Sequence, residues 1–222
     1  MSTVLVIGAS RGIGLEFVRQ YRDQWDRVIA TARDDAGLAQ LMALGAQPFK
    51  LDVAQPSSIS ELGKQLAGEK IDIALYVAGV YSTTGATAPP NRDEFDRVMH
   101  TNVLGAMQAI AQVAPLVEAA HGRFAFITSV MAQIGSVSSS FGWAYRASKA
   151  ALNMTVAAAQ HDYPKAILVA LSPGWVKTAM GGPDAPLSVE QSVSAMRKTI
   201  YSLGPKFRGA FVNYDGRRFS SW

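Results

Sequence analysis

The feature that most constrains this chain is a regular exchange of two patterns. Short β-branched runs at Val4–Ile7, Arg27–Thr31, Gln47–Leu51, Ile71–Val77, Arg123–Thr128, Ile167–Leu171 and Ala210–Asn213 alternate with segments of helix length. In the first such segment Ile13, Phe17 and Tyr21 recur every four residues, and Val18 joins them in one apolar stripe. Strands that alternate with helices pair in parallel through right-handed crossovers. The runs lack strict polar–apolar alternation, as strands covered on both faces do. The pattern predicts an α/β chain: one doubly wound domain over residues 1–222, with a seven-stranded, mainly parallel sheet and helices on both faces.

Composition narrows the functions open to such a domain. Of the 222 residues, 49% are hydrophobic and 17% charged, enough to build one full core. The net charge of +4 comes from scattered residues with no long basic run, so no nucleic-acid partner is expected. The chain has no cysteine, and its three histidines are far apart, so no disulfide, metal site or thiol nucleophile is expected. Met1-Ser2-Thr3 enters an apolar strand at once, and no segment nears the roughly 18 apolar residues of a membrane span. A cytoplasmic protein without a membrane partner is the expectation.

Ligands of doubly wound sheets lie beyond the carboxyl ends of the strands, where strand order reverses. The first strand runs into Gly8-Ala9-Ser10-Arg11-Gly12-Ile13-Gly14 and then a helix. Glycines there let the backbone turn sharply and approach a pyrophosphate, whose charge the helix N-terminus stabilises. A tight turn packing helix on strand is the plainer alternative. The position after the first strand of an alternating chain favours a dinucleotide, and hence a Rossmann domain.

An NAD site places an acid at the end of the second strand, whereas an NADP site uses an arginine for the 2′-phosphate. Here the strand ends Ala30-Thr31-Ala32-Arg33, and the acid's place falls at about Ala32. Arg33 and Arg11 are therefore expected to meet a phosphate, which predicts NADP(H). A shift of one residue in the turn would instead bring Asp34 or Asp35 forward, leaving two ordinary surface arginines.

Tyr145 and Lys149 stand four apart in a segment of helical character, Trp143 to His161, so they share a face. A free phenol has a pKa of about 10 and is a poor base at neutral pH. An ammonium about 4 Å away, at an effective dielectric near 20, favours phenolate by roughly 4 kcal/mol. The pair is expected to poise the phenol for proton exchange with an alcohol or carbonyl oxygen near pH 7. The same spacing also arises by chance, as an aromatic packed beneath a lysine stem.

With the glycine loop, Tyr145-Arg146-Ala147-Ser148-Lys149 and Pro173-Gly174 in this order, the chain resembles the short-chain dehydrogenase/reductase family from about Thr3 onward. The resemblance implies that Tyr145 is the general acid/base and that Lys149 lowers its pKa and holds the nicotinamide ribose. It implies that Ser129 hydrogen-bonds the substrate oxygen, with Thr128 its nearest rival, and that Asn102 holds the water of a proton relay through Lys149. Taken alone, Ser129 reads equally as a turn cap and Asn102 as a bend in its helix. For the cofactor, the resemblance implies contacts from Gly8, Ser10, Arg11, Gly12, Ile13, Gly14 and Arg33, and from Ala78 and Gly79. Asp52 and Val53 would meet the adenine. Pro173 and Gly174 would meet the nicotinamide, with Val176 and Thr178 at its carboxamide.

The runs Tyr145–Asn153 and Pro173–Gly182, and the ending Asn213-Tyr214-Asp215-Gly216 with Trp222, are similar to one branch of that family. It contains the bacterial C-factor proteins and the animal sniffer carbonyl reductases. The likeness implies carbonyl reduction with NADPH on a small-molecule carbonyl or alcohol, and the alternative is an NADP(H)-binding regulatory or signalling protein with little turnover. It also implies a homodimer or homotetramer paired through the long segments Glu94–Glu118 and Trp143–His161. A short substrate lid is expected at about residues 179–187.

Three departures stand out. Ile7 replaces the family's usual Thr, Val77 replaces the Asn of an Asn-Ala-Gly motif, and the loop from Ser129 to Tyr145 is about three residues longer than the commonest form. Both replaced side chains normally brace neighbouring strands. Two losses of polarity on adjacent strands suggest one coordinated apolar repacking.

Overall fold

The computed structural model describes residues 1–24 and 26–222. Its strands are β1 (Thr3–Ile7), β2 (Arg27–Ala32), β3 (Gln47–Lys50), β4 (Ile73–Tyr76), β5 (Arg123–Ile127), β6 (Ile167–Ser172) and β7 (Phe211–Asn213). They form one seven-stranded sheet in the order β3-β2-β1-β4-β5-β6-β7, and every pairing is parallel. This is the doubly wound sheet that the alternating pattern predicts. β4 is shorter than its apolar run because Ile71 and Asp72 lead into the sheet, where the Asp72 carboxylate accepts from Thr3 N at 2.8 Å.

Each strand divides its side chains between two cores. Val4 and Val6 of β1 pack beneath α1 (Gly12–Arg22), α2 (Asp35–Ala43) and α7 (Val189–Ser202), beside Phe17, Leu41 and Met196. Leu5 and Ile7 pack on the other face beneath α3 (Pro56–Gln65), α5 (Gly105–Ala119) and α6 (Trp143–Ala159), beside Leu62, Val113 and Leu152. Covering both faces removes any reason for polar positions within the strands. Strand order reverses between β1 and β4, which opens a crevice at their carboxyl ends.

The segment Glu94–Glu118 is not one helix. After α4 (Arg92–Met99) the chain makes a π-helical turn, His100–Leu104, before α5 begins. The Tyr76 hydroxyl of β4 donates to the Thr101 carbonyl within that turn at 2.8 Å. Gly105 is required where α5 meets β4, since a Cβ there would lie 2.5 Å from the Val53 carbonyl oxygen and 2.7 Å from Tyr76 Oη. Among the described residues no helix is long and apolar enough to cross a membrane, and no three acidic or histidine side chains form a cluster able to hold a metal ion.

The coordinated repacking of Ile7 and Val77 is not what the sheet contains. Ile7 pairs in register with Tyr76, so Val77 lies one residue further along and points to the opposite face. Ile7 belongs to the core under α3, α5 and α6, whereas Val77 packs against the other core. The bracing is done by other atoms: Gly8 N donates to Thr31 Oγ1 at 3.0 Å, and Val77 N and Ala78 N both donate to the Ile7 carbonyl. Thermal melts of Ile7→Thr, Val77→Asn and the double mutant should therefore be additive within about 0.5 kcal/mol. A larger coupling would restore the single-repacking idea.

Candidate active site

Three loops meet at the crevice. In the first, Gly8 (φ +87°) turns the chain at the end of β1, and a Cβ there would lie 2.6 Å from Ala78 N at the end of β4. Gly14 lets α1 close onto the loop, since its Cβ would fall 2.2 Å from the Gly8 carbonyl oxygen. α2, α4 and α7 are each capped by a side chain, from Asp34, Asn91 and Ser188 respectively. α1 starts at Arg11 with no side-chain cap and no acid in its first turn. Its first amide groups thus face the crevice without a competing carboxylate, which suits a pyrophosphate.

The second loop resolves the turn after β2. β2 ends at Ala32, and both following carboxylates have other partners. Asp34 accepts from Gly37 N at 2.7 Å, and Asp35 pairs with Lys50 at 3.0 Å. Gly37 packs against both loops: a Cβ there would lie 2.8 Å from Ala32 Cβ and 3.0 Å from Ser10 Cβ. The exposed Arg11 and Arg33 each follow one of the two residues that meet at Gly37, Ser10 and Ala32, and among the described residues neither forms an ion pair.

Further along this edge, Asp52 turns back on itself, its carboxylate accepting from Ala54 N at 3.0 Å. The adjacent Val53 is buried. In the loop after β6, Gly174 (φ +78°) leaves room for Leu187 and Tyr214, and the Pro173 carbonyl accepts from Ser192 Oγ at 2.7 Å. Val176 and Leu187 form a parallel bridge that closes residues 177–186 into a loop. Thr178 Oγ1 accepts from Gly181 N at 3.0 Å and lies on the Gly12 side, with its methyl 3.7 Å from the Gly12 Cβ position.

The third group stands on α6 and β5. Tyr145 and Lys149 lie on one buried face of α6. Lys149 Nζ donates to the Ile127 carbonyl at 2.9 Å and sits 5.6 Å from the centre of the Tyr145 ring. Burial pushes the Tyr145 phenol up to about 12, and the Ser129 hydroxyl beside it opposes part of that rise. Burial likewise pulls Lys149 from the ordinary 10.5 down to about 8. The expectation of a phenol drawn toward neutrality by its lysine is thus corrected. The ammonium is turned to a β5 carbonyl, and desolvation dominates at both groups. At neutral pH Tyr145 carries its proton.

Ser129 does two things at once: it accepts from Met131 N at 3.1 Å, capping a short 3₁₀ turn, and it adjoins Tyr145. Thr128 is buried and turned to the Lys149 carbonyl at 3.5 Å, away from this contact. Asn102 lies in the π turn. Its amide nitrogen donates to the Val80 carbonyl and Ser148 Oγ, both at 2.9 Å, and its Oδ1 accepts from Val80 N at 2.8 Å. A Cβ on Gly79 would lie 3.4 Å from Lys149 Nζ and 3.5 Å from Asn102 Oδ1, so the two polar atoms converge over a bare glycine. Thr31, Gly37 and Ser148 escape a motif reading. For Gly37 the Asp-x-x-Gly capping spacing was a usable signal.

Residues 2–186 match the family model described as short chain dehydrogenase. The chain belongs to that family. This short chain dehydrogenase is 31% identical, over the full length of both chains, to 1-hydroxy-2-glutathionyl-2-methyl-3-butene dehydrogenase of Rhodococcus sp. (strain AD45). It is similar to the structure of the carbonyl reductase Sniffer of D. melanogaster, with a TM-score of 0.91, 26% identity and full coverage of both chains. It is also similar to a carbonyl reductase from Pseudomonas aeruginosa PAO1 in complex with NADP, with a TM-score of 0.86, 28% identity and full coverage of both.

Proposed function

We propose that this short chain dehydrogenase is an NADP(H)-dependent carbonyl reductase. The observation that carries the proposal is Tyr145: buried, protonated at neutral pH and adjacent to the Ser129 hydroxyl, beside the crevice that Gly8 to Gly14 opens. The NADP-bound relative and the reductase Sniffer support the same reading.

The residues present fit the cofactor. Gly8, Ser10, Arg11, Gly12, Ile13 and Gly14 would hold its pyrophosphate against α1, and Arg33 with Arg11 its 2′-phosphate. Asp52 and Val53 would hold the adenine, and Ala78 and Gly79 leave room for the dinucleotide to pass. Pro173, Gly174, Val176 and Thr178 would hold the nicotinamide, and Lys149 the adjoining ribose. When bound, NADPH supplies the hydride.

Ser129 orients the carbonyl oxygen by hydrogen bonding, and Tyr145 donates the proton that this oxygen takes up. Lys149, buried and in no ion pair among the described residues, favours negative charge developing at the phenol oxygen. Asn102 fixes Val80 and faces Lys149, which suits a proton path re-supplying Tyr145. Residues 179–187 serve as the lid. The outward side chains of Phe95, Leu104, Met107 and Met154 are apolar and exposed, which supports pairing of subunits through α4 to α6.

The cofactor reading has a direct test. Each charge-assisted contact is worth roughly 1.5–3 kcal/mol, so NADPH should bind at least about tenfold tighter than NADH. Arg33→Ala should erode most of that preference without altering the melting temperature. Equal affinities for the two cofactors in the unmutated protein would reject NADP(H) specificity. Oxidation of NADPH with a panel of aldehydes and ketones tests the reductase assignment itself.

A further inference from the structure

One wall of the crevice is not used by the chemistry above. It is built from two loops, the one after β4 and the one after β5, that meet in front of Tyr145. Tyr81 stands edge-on to the Tyr145 ring, with centroids 4.7 Å apart and planes at 66°. Phe141 follows at 6.4 Å from Tyr81, tilted by 60°. Gly142 (φ +73°) keeps the corner between them clear, since a Cβ there would lie 2.9 Å from Met131 Cε and 3.4 Å from Tyr81 Oη.

The wall is held from behind. Arg97 donates to the Tyr81 carbonyl at 3.1 Å, and Arg146 Nε donates to the Phe141 carbonyl at 2.9 Å. Trp143 N donates to the Thr84 carbonyl at 2.9 Å, and Ala86 N to Ser140 Oγ at 3.2 Å, which ties one loop to the other. Both guanidinium groups thus act as braces on backbone carbonyls. From Val77 to Asn91 and from Phe124 to Tyr145 the chain carries no charged residue at all. Phe141 nevertheless keeps 54% of its surface exposed, and Val130 and Val137 of the same loop keep 46% and 51%.

An aromatic surface held open, uncharged and adjacent to the proton donor suits a specific kind of ligand. A charged substrate would lose hydration on this wall, where the two bordering guanidinium groups are turned to the Tyr81 and Phe141 carbonyls. A flat ring gains edge-to-face contacts that a saturated ring of equal size cannot make. We infer that Tyr81, with Phe141 and Met131 beside it, is the specificity-determining residue of this site and selects uncharged aryl carbonyl compounds. The inference rests on the reductase reading above.

The test uses the NADPH-loaded protein and three aldehydes: benzaldehyde, cyclohexanecarbaldehyde and 4-carboxybenzaldehyde. Benzaldehyde should exceed the saturated ring in kcat/KM by about fivefold to tenfold, and exceed the carboxylated ring by more. Tyr81→Ala should lower kcat/KM for benzaldehyde by about tenfold or more and shrink its advantage over the saturated ring to about twofold. Tyr81→Phe should retain the advantage. Phe141→Leu, at a half-exposed position, should reduce it. Equal rates for the flat and saturated rings, or an advantage that survives both Tyr81→Ala and Phe141→Leu, would overturn the assignment. Calorimetric binding of benzamide against cyclohexanecarboxamide, neither of which is reduced, separates it from the reductase reading. Tighter benzamide binding that Tyr81→Ala abolishes, without turnover of any aldehyde, would sink the reductase reading and leave the wall assignment standing. Turnover without any aryl preference would do the reverse.

Discussion

Tyr145→Phe should lower carbonyl reduction by about 10²–10⁴, the range expected when a positioned acid is lost. Fold and NADPH affinity should persist, because the substitution keeps the ring that packs edge-on against Tyr81 and removes only its hydroxyl. That hydroxyl carries its proton at neutral pH and has the Ser129 hydroxyl beside it, so deleting it costs no more than one ordinary hydrogen bond, about 1 kcal/mol. A melting temperature within a few degrees of the unmutated protein is the expected companion of the loss in rate. Single-turnover oxidation of NADPH measures the chemistry, and fluorescence titration measures the cofactor. Ser129→Ala should act on the same step but less severely, since it removes a hydrogen bond to the substrate oxygen and leaves the proton donor. A near-normal rate in Tyr145→Phe would move the acid role to another residue, with Ser129 the first to examine.

The sheet was legible because its cause is local. Seven apolar runs at regular spacing leave little choice of architecture, and the strand boundaries differ from those runs by a residue or two at most positions. What the spacing could not reveal depends on partners distant in sequence. Tyr145 and Lys149 share a helix face, as four-residue spacing requires. Yet the ammonium bonds to the Ile127 carbonyl, and that placement follows from how α6 sits on β5. The Asp34–Asp35 ambiguity dissolved once α2 took Asp34 as its cap. Ile7 and Val77 look paired only until strand register is known, and a one-residue offset puts them on opposite faces. The π turn at His100–Leu104 has no signature in composition. It is fixed from outside, by Tyr76 from β4 and by Asn102 reaching Val80 and Ser148. The loop after Ser129 is tied in turn by the far end of the chain, where Ile134 N donates to the Trp222 carbonyl at 2.9 Å and Gln133 to Ser221 Oγ at 2.9 Å.

Lys149→Met should make the cofactor-free protein more stable at neutral pH while sharply reducing its turnover. The lysine is buried, and desolvation lowers its pKa from 10.5 in the unfolded chain to about 8 in the fold. Between those two values the unfolded chain binds a proton that the native protein has released, so stability rises with pH across that window. Below about pH 8 the full penalty of burying the ammonium is present, on the order of 3 kcal/mol. Methionine fills nearly the same volume without a charge but forfeits the bond to the Ile127 carbonyl, worth about 1 kcal/mol. Burial wins, and a net gain of roughly 2 kcal/mol corresponds to a rise in melting temperature of about 4–8 °C for a domain of this size. That advantage should shrink as pH is raised from 8 toward 10.5, because the wild-type lysine then sheds its proton in the native state while the unfolded chain still holds its own. Turnover should fall by at least about 10²-fold, since no cation remains to support the phenol of Tyr145 as its proton leaves. NADPH should also bind more weakly. Thermal melts of both proteins at pH 7 and pH 10, beside steady-state rates, read all of these. A wild type more stable than Lys149→Met at pH 7, by a margin that does not change with pH, would show that Lys149 is retained for stability rather than for chemistry.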